Sequence, residues 1–232
     1  MAFAPQNSGV GSCGLDFSFV TDTTQRAVLG ERMTGIDPYW GGGKFIYLLS
    51  NDAVVQGSLV TWDNAFKATL LASTANQGVS VAVAMAAAAS GNYFWAFLAG
   101  DLVPVAASAS VAAGTTFGIG TAGKAGANSA GKQILNAKSV IASTGTVVMA
   151  NAQTTNGSTI LRVQNAAGWF PGVALSGTGI AGGATVSSIA SDGRTVTMSA
   201  AATATGSVSV TGTYTGFIIA QMNDPFAQGA IT

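Results

Sequence analysis

The chain has 232 residues, of which 31 are glycine and one is cysteine, and it has no histidine. Nine acidic and nine basic residues give a formal net charge of zero, and charged residues make up 8%, against roughly 25% in an ordinary soluble domain. Histidine-dependent catalysis, an intrachain disulfide and a cysteine zinc cluster are excluded. No basic block could neutralise phosphates, so nucleic-acid binding is not expected. The composition predicts a protein that is not an enzyme and needs no cofactor or metal.

At the N-terminus, residues 1–17 lack a basic region followed by an apolar core, so the sequence predicts no signal peptide. Aromatic residues stand out there, in a stretch with few other strand features, and residues 1–20 are a candidate extended arm. Such residues either pack in the chain's own core or lie on a partner, because aromatic side chains are enriched in interface cores. The aromatic residues considered for partner binding are Phe3, Phe17, Phe19, Tyr39, Trp40 and Phe226.

Short apolar runs separated by turn residues follow one another along the first 142 residues. Such spacing predicts an all-β domain, a jelly-roll or a barrel, and no long window has the period of an amphipathic helix. The predicted strands are 17–21, 44–50, 59–63, 68–72, 79–85, 92–98, 102–107 and 134–142.

Residues 79–100 carry no charge over about the length of a membrane span. Ser90, Gly91 and Asn92 form a turn signal in the middle, and both flanks favour strands. The segment is therefore predicted to be a β-hairpin and not a membrane helix, although the alanine run at 86–89 leaves a short helix open.

Composition changes near Ser143, beyond which Ser, Thr, Gly and Ala dominate up to residue 215. Strands are predicted at 158–165, 184–191, 194–200 and 206–214, with a type I′ hairpin turn at Asp192-Gly193. An apolar strand then returns at 216–226. The simplest topology is a main β domain of residues 1–142 and 216–232, interrupted by a small inserted β domain, 143–215, that projects as a knob.

Two sequence patterns that could indicate a cofactor site or a catalytic site are explained by loops and turns. The pattern Gly-x-Gly-x-x-Gly begins at Gly9, Gly118 and Gly177, but no helix follows any of them, so loop glycines are expected rather than a dinucleotide site. Paired aspartates could serve a glycosidase, but most lie in turn contexts where Asp caps its own backbone. The candidates are Asp37, Asp52, Asp63, Asp101 and Asp224, with Asp63 and Asp101 the first choices.

Several segments resemble the small cement or decoration proteins of tailed-phage capsids. The segments that carry the resemblance are 29–37, 43–48, 57–63, 78–83, 93–100 and 216–220. The insert, through residues 177–180 and 195–206, is similar to a β module that recurs in capsid, tail and fibre proteins of phages.

The resemblance implies a structural virion protein on the outer surface of an icosahedral head, made in the host cytoplasm. Its partner would be the major capsid protein, whose neighbouring copies it would clamp as a homo-oligomer, with a trimer favoured and a dimer possible; no membrane is involved. The alternative is a tail, fibre or adhesin component whose inserted domain binds a host glycan or protein.

Overall fold

The computed structural model describes residues 21–37, 40–190 and 192–230, and every regular element in these ranges is a β-strand. The prediction of an all-β protein is confirmed. The strands are β1 (Arg32–Asp37), β2 (Gly41–Ser50), β3 (Leu59–Trp62), β4 (Lys67–Leu70), β5 (Ala82–Ala84), β6 (Tyr93–Ala106), β7 (Gly118–Ile119), β8 (Ala125–Gly126), β9 (Ile134–Ile141), β10 (Thr146–Thr154), β11 (Ile160–Arg162), β12 (Ala174–Ser176), β13 (Val186–Ile189), β14 (Thr195–Met198), β15 (Gly206–Thr213) and β16 (Phe217–Ala227).

The largest sheet has eight strands in the order β1-β2-β4-β3-β5-β6-β16-β9. Strand β2 also pairs with β6 over seven residue pairs, from Gly43↔Gly100 to Leu49↔Tyr93. This pairing closes β2, β4, β3, β5 and β6 into a ring, which we call the first barrel. Closure removes free strand edges from these five strands.

Alternate residues of the five ring strands form one buried cluster. It includes Ile46 and Leu48 of β2 and Phe94 of β6, and small alanines from the neighbouring strands leave room for these larger side chains. The opposite residues, such as Phe45 and Trp95, belong to a second cluster outside the ring. The period-two alternation of each strand therefore fills both the inside of the ring and the layer around it.

Strand β6 is a single strand of 14 residues, whereas the sequence predicted two strands, 92–98 and 102–107. Gly100 lies between these two predicted strands. In the structure it has φ +152°, and a Cβ there would lie 2.5 Å from the carbonyl oxygen of Gly42. Glycine permits the close approach of β2 and β6 at this point without ending the strand.

The second sheet has six strands in the order β12-β15-β10-β11-β14-β13. Its two outer strands also meet, because Leu175 N–H donates to the Ala184 carbonyl at 2.8 Å and Val186 N–H donates to the Val173 carbonyl at 2.9 Å. These bonds close a second ring, the second barrel. A two-stranded sheet of β7 and β8 lies beside the first barrel.

All six strands of the second barrel come from the predicted insert, and β16 returns to pair with β6 and β9 of the main sheet. The antiparallel pairing of β9 with β16 ends at Ile141↔Ile219, and the pairing of β10 with β15 begins at Thr146↔Thr213. We call these four strands the ribbon, because they form two nearly continuous antiparallel chains that run from the main sheet into the second barrel. Independent folding of the two parts stays a prediction.

Two sequence predictions about local structure need correction. The hairpin predicted at Asp192-Gly193 is present, but β13 ends at Ile189 and β14 begins at Thr195, so the connection is longer than the two-residue loop of a type I′ turn. Asp192 instead accepts hydrogen bonds from the N–H groups of Arg194 and Thr195, as in an Asx turn. Strands β1, β7, β8, β10 and β12 were not predicted.

The uncharged segment 79–100 forms parts of β5 and β6, which pair antiparallel at Val83↔Phe97. The alanine run contains no helix. Among the described residues, no helix of the length and apolarity of a membrane span is found.

Candidate functional site

Two of the six aromatic partner-binding candidates lie in described parts of the chain. Trp40 is 3% exposed, and Phe226 is 37% exposed. Trp40 is therefore not exposed for contact with a partner, because Phe170 of the second barrel packs against its ring. Phe3, Phe17, Phe19 and Tyr39 lie outside the described residues, so their proposed role stays a prediction.

Trp40 belongs to a buried aromatic cluster that joins the two barrels, which we call the junction. Phe170 is at its centre, with ring centroids 5.4 Å from Trp40, 5.5 Å from Tyr214 and 5.3 Å from Phe217. Tilted, offset and edge-on ring pairs at such distances stabilise beyond their buried area. The junction thus fixes the second barrel against the first through apolar packing as well as through the ribbon.

A surface groove follows the end of the ribbon in the main sheet. It consists of two neighbouring depressions of about 580 Å³ and 600 Å³, which have Gln133 as a common lining residue and which we call its lobes. Seven of the sixteen described lining residues are carboxamides, and Lys138 is the charged residue among them. The carboxamides are Asn76, Asn128, Gln133, Asn136, Gln221, Asn223 and Gln228.

A β-bulge shapes the first lobe. The pairing of β16 with β9 shifts between Met222↔Ala137 and Phe226↔Leu135, so that three residues of β16 oppose Asn136. Asn136 has φ +57° and Asp224 has φ +45°, the left-handed conformation that Asn and Asp adopt more readily than most residues. Bulges of this kind redirect side chains, and here Asn136 and Asn223 line the groove.

Backbone hydrogen bonds hold the walls of the groove. Asn76 N–H donates to the Gly131 carbonyl at 2.7 Å, and Gln228 N–H donates to the Gln133 carbonyl at 2.9 Å. Beyond the bulge, β16 is also fixed on its other side, where Ala227 N–H donates to the Val79 carbonyl at 2.9 Å. The groove is therefore built by the fold before any ligand arrives.

An ion pair lies beside the bulge. Lys44 Nζ lies 3.0 Å from Oδ1 and 2.8 Å from Oδ2 of Asp224, and both side chains are partly exposed. The pair neutralises the carboxylate next to Asn223. Lys138 is then the one charged side chain among the described residues that line this lobe.

The described aspartate side chains that were considered for catalysis make structural contacts. Asp63 accepts from the N–H groups of Lys67 and Ala65, and these bonds, Lys67 first, lower the pKa of its carboxyl. Asp52 accepts from Leu70 N–H, and Asp224 pairs with Lys44. The side chains of Asp37 and Asp101 lie outside what the structure describes. Within the described residues, no group of three or more His, Cys, Asp or Glu side chains could hold a metal ion.

Two of the three glycine patterns can be placed. Gly118–Gly123 covers β7 and the turn into β8, and Gly177–Gly182 lies between β12 and β13. Neither is followed by a helix, as expected for loop glycines. Gly9 lies outside the described residues.

The groove is not apparent from the order of residues along the chain. Its carboxamides come from three distant segments, around Asn76, from Asn128 to Asn136, and from Gln221 to Gln228, which the return of β16 brings together. A cluster of Asn and Gln in the two runs Gln133–Asn136 and Gln221–Asn223 is the signal that could have suggested it. No family model, curated protein or solved structure that was compared with the chain matches it.

Proposed function

We propose that this chain is a structural virion protein that binds the outside of an icosahedral phage head and clamps neighbouring major capsid proteins. The observation that carries the proposal is the double connection between the two barrels, through the ribbon and through the junction. Domains joined by small polar interfaces move relative to one another by default. Here the junction and the ribbon oppose such motion.

Stiffness matters because a clamp transmits load between two subunits only when its own contact surfaces keep a fixed orientation. Phe170 is 3% exposed and lies against three other aromatic rings, of which those of Trp40 and Phe217 belong to the main domain. Two strand pairs, and not a single flexible linker, connect the barrels. Both features favour a load-bearing part of an assembly.

The composition also favours a lattice component. The zero formal net charge and the 8% content of charged residues leave little electrostatic repulsion between copies packed close together. A homo-oligomer, which we propose to be a trimer or a dimer, would grip several capsid proteins at once. Such multivalency raises the apparent affinity far above that of one contact.

The test is to count copies of the protein on purified particles by quantitative mass spectrometry, and to measure the temperature at which heads release their DNA. We expect on the order of hundreds of copies and a lower release temperature for heads that lack the protein. Adding back purified protein should restore the release temperature. A few to a few dozen copies per particle, or an unchanged release temperature, contradicts the proposal and favours a tail or fibre component.

A further inference from the structure

We infer that the carboxamide-lined groove binds a neutral glycan. The inference goes beyond the clamping role and does not depend on it, since the groove is defined by its own side chains. It also differs from the expectation that any glycan would bind to the inserted domain, because the groove lies on the main sheet.

The chemistry of the lining matches that of sugars. Each Asn or Gln side chain offers a carbonyl acceptor beside an NH₂ donor, and each sugar hydroxyl is also both donor and acceptor. A carboxamide can therefore pair with two adjacent hydroxyls whichever way they are oriented. Among the residues that the structure describes, the side chains of Gln133, Asn136 and Asn223 have no hydrogen-bond partner, so they are available to a ligand.

Two exposed apolar side chains follow the groove residues along β9 and β16, outside the lining itself. Leu135 and Phe226 are directly opposite each other on β9 and β16, and each is 37% exposed. Sugar rings present C–H groups on one face, which pack on an exposed aromatic or aliphatic side chain.

The size and the charge of the groove narrow the ligand class. Each lobe is within the 300–1,000 Å³ range of ligand sites, and the two lobes share Gln133, which suits an extended oligosaccharide. The Asp224 carboxylate is engaged by Lys44, and Lys138 alone among the described lining residues adds charge. An anionic ligand would need more positive charge than this lining supplies.

The test is a titration of isotope-labelled full-length chain with maltohexaose, cellohexaose and chitohexaose, followed by NMR of the side-chain amide signals. We expect saturable shifts of the Asn and Gln NH₂ signals of the groove with at least one of the three. The double variant Gln133→Ala/Asn223→Ala should bind at least about tenfold more weakly, since two ligand hydrogen bonds are lost. Gln153→Ala, an exposed carboxamide in the second barrel, is the matched control and should bind normally.

Three results would overturn the inference. One is the absence of saturable shifts with all three sugars, and another is unchanged binding by the double variant. The third is tighter binding of a sulfated hexasaccharide, which would assign the groove to anions. If the double variant loses its place on the phage head and the wild-type chain binds no sugar, the groove is a protein contact, and the clamping proposal survives without the glycan.

Discussion

The ring of Phe170, which lies in the insert, is 5.4 Å from the ring of Trp40, which directly precedes β2 of the first barrel. The two residues are 130 positions apart in the sequence, and each is 3% exposed. Through this contact, a side chain of the second barrel and a side chain next to the first barrel share one buried core.

Removing the Phe170 ring should therefore destabilise the whole chain. Phe170→Ala is expected to lower the free energy of unfolding by about 3–5 kcal/mol, because it leaves a cavity among three other rings. Phe226→Ala, which truncates a ring that is 37% exposed, is the control and should cost much less. Urea unfolding measures both, and equal losses would show that the junction is not a core contact.

A buried hydroxyl at the same junction provides a second test, in which the substitution is expected to raise the free energy of unfolding. The Tyr214 hydroxyl has no hydrogen-bond partner among the described residues, and burial raises its pKa. Tyr214→Phe should stabilise the protein by about 1 kcal/mol, since an unsatisfied polar group is removed.

Tyr47→Phe is the matched control, because the Tyr47 hydroxyl donates to Asp22 Oδ2 at 3.2 Å and accepts from Arg26 N–H at 3.2 Å. It should destabilise the protein by about 1–2 kcal/mol. The urea midpoints of both variants are compared with that of the wild type. A lower midpoint for Tyr214→Phe would contradict the description of its hydroxyl as unsatisfied.

Gly212 lies against a tryptophan inside the second barrel. A Cβ at Gly212 would lie 2.4 Å from Nε1 of Trp169, a fully buried side chain. Gly212→Ala should lower stability by about 1–3 kcal/mol through overpacking. Gly182→Ala, where no atom lies within 4 Å of the added Cβ, should change stability by less than about 0.5 kcal/mol. Thermal unfolding distinguishes the two, and similar melting temperatures would disprove the packing.

Acid should weaken the hairpin turn at Asp192. Hydrogen bonds from the N–H groups of Arg194 and then Thr195 lower the pKa of the Asp192 carboxyl in the folded state. The resulting stabilisation is present above the unfolded pKa, about pH 4, and is lost as the pH falls through the folded pKa.

Asp192→Asn should therefore melt at a lower temperature than the wild type near pH 6, and the difference should shrink as the pH falls below about 4. Melting curves from pH 6 to pH 2 measure this difference. Asp63→Asn should show the same trend, because the Lys67 N–H lowers the pKa of Asp63. A difference that does not vary with pH would exclude the carboxylate as its cause.

Excising the insert tests the division into two parts. Ile141 and Ile219 are paired across the ribbon, so a two-residue Gly-Ser linker in place of 143–215 spans the gap. The shortened chain should keep a β-sheet circular dichroism spectrum but unfold at a lower urea concentration, because Trp40 and Phe217 lose their cover. Loss of all cooperative unfolding would refute the division.

The local pattern predicted those strands whose alternation is regular. The return strand predicted at 216–226 is observed as Phe217–Ala227, and the strand predicted at 134–142 as Ile134–Ile141. Strand β10 was missed because a bulge next to Asn151, which has φ +55°, shifts its alternation from one face to the other. Local propensity cannot show such a bulge, because the partner strand determines it.

Long-range contacts account for the other errors. Nothing near Trp40 in the sequence indicates that residue 170 will cover it, and nothing near Gln133 indicates that residues 223 and 228 will lie beside it. The groove thus depends on the closure of the first barrel and on the return of β16 to the main sheet. Both are properties of the whole topology, so no single segment of the sequence shows them.

The ribbon determines how the molecule would respond to mechanical force. Strand β15 leads directly into β16, whose hydrogen bonds with β6 run from Phe217↔Ala106 to Asn223↔Ala99. A pull on the second barrel along the ribbon would load this ladder in shear, so that its bonds share the tension and must rupture together instead of peeling one by one.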